Sequence, residues 1–142
     1  MRQRVTLLGY TVGWSAVRTL PEAAAYRVFR LVADTAWRRQ GRSVRRLEGN
    51  LARVLGVPAD DPRVRELSRA GMRSYLRYWC DTFRLPDWDE RRVVDSVRVE
   101  NAELLFDTLA AGRGVIAALP HMGNWDHAGA WATYVGAPVT TV

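Results

Sequence analysis

The chain has 142 residues, the size of one ordinary domain, and its 48% hydrophobic and 25% charged content argues against wholesale disorder. Its single cysteine, Cys80, excludes an internal disulfide and any multi-cysteine metal site. All 21 basic residues are arginine, and the net charge of +6 favours an anionic partner: nucleic acid, phospholipid head groups or a phosphorylated substrate, each matched by the planar guanidinium fork.

Residues 5–17 carry no charge and are bracketed by Arg4 and Arg18. A spanning helix needs roughly 20 apolar residues, so this stretch is too short to cross a bilayer. A signal peptide needs a cleaner apolar centre than one diluted by Gly9, Tyr10, Thr11, Gly13 and Ser15. Residues 1–20 read as a helix lying in a membrane interface, with Tyr10 and Trp14 suited to that depth. The alternative is a helix packed on the domain's own core.

Pro21 and Glu22 open a helix to about Gln40 that Gly41 ends, with Ala25, Phe29, Val32, Ala36 and Trp37 on one apolar face. Ser43 is placed to cap the next helix, whose stripe is Val44, Leu47, Leu51 and Val54 and whose stop is Gly56. Asp61 and Pro62 start a long helix to about 83 carrying Leu67, Met72, Leu76, Trp79 and Phe83.

Beyond residue 90 the period changes. Val97–Glu100 alternates like a half-exposed strand, and Asn101 is placed to cap a helix over 102–111. The apolar run 114–119 has the character of a strand buried on both faces. A helix from about Asn124 to Tyr134 follows, and 138–142 begins another strand. Strand, helix, strand is a βαβ unit. The expected fold class is therefore α/β: N-terminal helices, then the start of a parallel-containing sheet flanked by helices, ending inside its second buried strand.

The segment "LPHMGNWDHAG", 119–129, carries the chemistry. Ligands gather at the carboxyl ends of strands in α/β sheets, and His121 is expected at such an end. At ~100° per helical residue, five helical steps would set His121 and Asp126 well apart, so the histidine belongs to the turn before the helix and Asp126 to its first turn. Gly123 supplies the joint and Asn124 the cap. Asp126 is then placed to accept the Nδ1 proton of His121, leaving Nε2 as a base. Against this stands a purely structural histidine at a sheet edge. A metal site of His121, Asp126 and His127 is disfavoured, because the last two point about 100° apart and no third histidine or cysteine helps.

"HMGNWD" resembles the His-x4-Asp/Glu motif of the lipid A late acyltransferase family, in the form found in its phosphatidylinositol mannoside branch. "VENAELLFDTLAAGRGVIAALPHMGNWDHAGAWATYVGAPVTTV" and "RSVRRLEGNLARVLG" are similar to the same group. The resemblance covers nearly the whole chain but about the first half of a family member. It implies an incomplete acyltransferase fold, with 21–142 the N-terminal half of an α/β acyltransferase domain truncated at its C-terminal end. It also implies fatty acyl transfer from acyl-CoA, a co-substrate with no further cofactor, to a sugar hydroxyl of a glycolipid at the cytoplasmic face of the cell membrane. In that reaction His121 is the general base and Asp126 orients it, while the amides near Gly123 and Asn124 are oxyanion donors. No acyl-enzyme is required, so Cys80 is read as a packed core residue.

Two further features stay open in the sequence. Trp125 and Trp131 fit an acyl groove or core packing. Arg65, Arg69, Arg73 and Arg77 form a stripe that fits phosphate contacts, Arg77 foremost, or a solvated face with local pairs such as Asp61–Arg65 and Arg77–Asp81. Lipid A-type or lysophospholipid acyl transfer, and an inactive membrane-surface fragment, are the rival functions. Nucleic-acid binding has the charge but none of the motifs.

Overall fold

A computed structural model describes residues 13–120, 122–137 and 139–140. The chain divides into two compact units, Met1–Arg84 and Leu85–Val142.

In the first unit, residues 13–19 are helical (α1), followed by α2 (Glu22–Arg38), α3 (Arg42–Leu55) and α4 (Pro62–Arg84). The helix ends follow local chemistry. Asp61 accepts from the Arg63 main-chain N–H at 2.8 Å and so caps α4, with Pro62 in the first turn where its missing N–H costs nothing. Gly56 closes α3 at φ 65°, a conformation that a Cβ would disfavour. Two expected caps move. The left-handed residue after α2 is Gln40, at φ 47°, and Gly41 is the N-cap of α3 in place of Ser43.

α4 lies along both α2 and α3. Small residues make the contact: Ala25 and Ala33 on α2, Ala52 on α3, and Ser68 on α4 are all buried, and Gly71 of α4 faces Leu47 of α3. The apolar stripes are rotated from those expected. Val54 is 84% exposed and Val32 and Leu67 are also exposed, while Asp34, Glu48 and Ser68 turn inward. Polar groups so buried need partners, and they have them. Trp37 Nε1 donates to Ser68 Oγ at 2.8 Å, and Ser68 Oγ donates to Glu48 Oε1 at 3.0 Å. Asp34 receives a two-pronged contact from each of Arg69 and Arg73. The arginine stripe is thus partly an internal framework. Arg65 and Arg69 both lie over the Trp37 ring, and Asp61 pairs with Arg63 in place of Arg65.

At the far end of α4, Trp14 stacks on Phe83 with centroids 5.2 Å apart and donates Nε1 to the Phe83 carbonyl. Arg84 Nη1 donates to the carbonyls of Val17 and Leu20, both at 2.8 Å, satisfying acceptors left over at the end of α1. Cys80 is fully buried, and burial, followed by the neighbouring Asp81 charge, pushes its thiol up to about 11. A thiolate is therefore scarce at neutral pH. Cys80 is expected to resist iodoacetamide at pH 8 in the folded chain and to label fully in denaturant; fast labelling of the native chain would contradict this burial.

The second unit contains a 3-10 turn (Leu85–Asp87), α5 (Glu90–Asp95), α6 (Ala102–Ala110) and α7 (Trp125–Tyr134). Asp89 caps α5 by accepting from the Arg92 N–H at 2.7 Å. α5 packs against α7, and Phe106 of α6 meets Trp131 of α7.

The expected sheet is overturned: among the described residues every regular element is helical and none is a strand. Residues 97–99 and 113–120 have no regular structure, as do 139 and 140, while 138, 141 and 142 of the last expected strand lie outside the described residues. The α/β class with a parallel-containing sheet therefore gives way to an all-helical arrangement. The reason is physical. A strand exists only when a neighbour takes up its N–H and C=O groups, and apolarity alone supplies no neighbour. The run that read as buried is instead exposed throughout, Ile116 by 99%.

Candidate active site

The segment around 119–129 belongs to the second unit. The Met122 N–H donates to the Pro120 carbonyl at 2.7 Å, shortly before the helix. Gly123 then adopts φ 67°, where a side chain would be strained, and turns the chain into α7. Asn124 is the N-cap of that helix: its Oδ1 accepts from the His127 N–H at 3.0 Å. Its Nδ2 is buried with no hydrogen-bond partner. Trp125 and Asp126 occupy the first turn and are exposed, and a carboxylate there is favoured by the helix dipole.

Of the residues singled out from sequence, Gly123, Asn124, Trp125 and Asp126 thus form one continuous turn and helix start. His121 lies outside the described residues. Arg77 is on α4 in the first unit, where its Nε contacts Asp81 at 3.1 Å and its guanidinium covers the Tyr26 ring at 4.0 Å. Tyr26 donates to the same Asp81 at 2.7 Å, and burial followed by that bond pushes its phenol well above the usual range. Among the described residues no three His, Cys, Asp or Glu side chains gather as a metal site.

One residue escaped the sequence reading in this role. His127, disfavoured as a metal ligand, is partly buried between α5 and α7. Its Nε2 is 3.2 Å from the Val93 carbonyl and 3.2 Å from Ser96 Oγ, and its ring stands edge-on to Trp88 at 5.2 Å. Arg92 covers Trp88 at 4.2 Å. The signal available was the cap spacing, since an Asn three residues before position 127 fixes that residue's N–H and hence its direction.

The described part of the segment is a capped helix start with a first-turn carboxylate, and family comparison gives the class. The family model described as bacterial lipid A biosynthesis acyltransferase matches residues 2–142, and the chain belongs to that family. Within it, the chain is 47% identical over 98% of its length to a protein of Mycolicibacterium smegmatis named phosphatidylinositol mannoside acyltransferase. Proteins of the same name from two Mycobacterium tuberculosis strains are 43% identical over 94% of the chain. The chain spans less than half the length of these relatives, 45% and 42%.

Proposed function

We propose that the chain serves transfer of a fatty acyl group from acyl-CoA to a sugar hydroxyl of phosphatidylinositol mannoside, at the cytoplasmic face of the cell membrane. One observation carries the reading: the His-x4-Asp segment of a chain in this family runs through a glycine turn into a capped helix whose first turn holds Asp126. In the proposed step His121 takes the hydroxyl proton as that oxygen attacks the thioester carbonyl carbon. The tetrahedral intermediate then collapses, the carbon–sulfur bond breaks, and the thiolate of coenzyme A leaves to be protonated. Asp126 holds the imidazole, and the Gly123 and Asn124 amides face the oxyanion. Trp125 lies against the acyl chain. Separately from this step, Arg77 of the first unit is assigned a phosphate contact through guanidinium N–H groups other than the Nε that holds Asp81.

The test is thiol release by the chain given palmitoyl-CoA and phosphatidylinositol mannoside. Release that needs both the acceptor and His121 supports the reading. Release with a lysophospholipid or lipid A precursor in place of the mannoside would move the acceptor class. No release from a folded, membrane-bound chain would make this polypeptide a binding fragment.

The membrane surface is the second part of the proposal. Residues 1–20 are assigned to the interface; 1–12 of them lie outside the described residues, and Trp14 is held by Phe83. Among the described residues, the outer face of α2 is one of the exposed apolar surfaces, and the one assigned here to lipid. There Val28, Leu31 (64% exposed) and Val32 stand at helical spacing beside exposed Arg27 and Arg30. No described helix is long and apolar enough to cross a membrane. Leu31→Glu is expected to weaken co-flotation with phosphatidylinositol-containing vesicles about tenfold, because a leucine's burial is lost. Unchanged flotation would remove α2 from the membrane contact.

A further inference from the structure

The His127 imidazole has two polar neighbours at Nε2, a carbonyl and a hydroxyl. The Val93 carbonyl has no proton to give. Ser96 Oγ directs its own proton to the Arg92 carbonyl at 2.6 Å and presents a lone pair to the ring. Hydrogen on Nε2 is the form that satisfies the Val93 carbonyl, and in that form the nitrogen is neither a base toward Ser96 nor a metal ligand. The same residue's main-chain N–H takes the Asn124 cap. Its side chain and backbone thus tie one helical turn at two points, to the C-terminal end of α5 and to the residue preceding α7.

We infer that His127 is a positioning residue: it fixes the first turn of α7, and with it Asp126, against α5. The inference rests on the proposed acyl-transfer reading only where it concerns rate. Its ring packing on Trp88 supplies contact but no direction; the Nε2–H bond to Val93 supplies the direction.

Two substitutions separate these contributions. His127→Phe keeps a ring against Trp88 and removes the donor. His127→Gln loses the ring and sets an amide N–H where Nε2–H stands. With the complete chain, His127→Phe is expected to lower kcat for transfer roughly tenfold with KM unchanged, and His127→Gln to recover most of that loss, because small displacements of an orienting group are felt in the rate. Nitrogen-15 NMR of the imidazole is expected to show the Nε2–H form, and the amide of residue 127 to exchange about tenfold faster in His127→Phe than in the parent. Equal behaviour of the two variants would overturn the inference and leave packing alone, as would an Nδ1–H ring. Should the parent chain show no His121-dependent transfer, the functional reading fails, while tautomer and exchange still decide the anchoring role.

Discussion

Replacing His121 with alanine is expected to reduce acyl transfer by a factor of about 10²–10⁴, the range supplied by a positioned general base. A sugar hydroxyl is almost wholly protonated at neutral pH, so attack on a thioester depends on a group that removes its proton as the bond forms. Asp126→Asn is expected to cost less, up to about a hundredfold, because the base remains but its ring is held less well. Asn at 126 keeps the size of the side chain and leaves the Asn124 cap untouched, so circular dichroism of both variants should match the parent. Coenzyme A thiol release, measured with saturating acceptor, checks the order: parent, then Asp126→Asn, then His121→Ala. Near-normal turnover in His121→Ala would remove the proposed mechanism, and an unchanged rate in Asp126→Asn would remove only its second residue.

The parts legible in the sequence were those governed by local chemistry. Asp61 followed by Pro62 marks the start of α4, Gly56 marks the end of α3, and Gly123 with Asn124 marks the joint and cap of α7. Each is a property of a few adjacent residues. What depended on partners distant in sequence was missed. The apolar run 114–119 has a strand's composition, but pairing is a property of two segments, and no described segment pairs with it. Asp34, Glu48 and Ser68 were invisible as core because helical periodicity counts apolar side chains, whereas this contact between α2, α3 and α4 is partly polar. For the same reason Arg69 and Arg73 looked like members of a solvated stripe, although both reach a carboxylate buried on α2. At the site, chain direction through 123–126 followed from turn chemistry, while the anchoring of His127 on α5 required the tertiary contact itself.

Asp34→Asn is expected to be the most destabilising single substitution in the first unit, lowering the melting temperature on the order of 10 °C at pH 7, because it leaves two arginines facing an uncharged amide. The hydrogen bond from Arg73, followed by that from Arg69, holds the Asp34 carboxyl well below its ordinary value of 3.8. A folded-state value below the unfolded one means that the unfolded chain binds the proton more readily. The contribution is therefore fully present above pH 3.8 and is lost as the pH falls below it toward the depressed folded value. Thermal melts across pH 7 to 2 should show the parent losing stability on the acid side and the Asn variant, already without the charge, losing less. The geometry also ranks the partners. Arg73 meets both carboxylate oxygens at 2.7 Å, against 3.1 and 3.2 Å for Arg69. Arg73→Met should accordingly cost more than Arg69→Met, even though the latter also gives up contact with Trp37. An Asp34→Asn chain melting within a degree or two of the parent at pH 7 would show that the two forks merely offset the desolvation of the carboxylate, and that α2 and α4 are held by their small apolar residues instead.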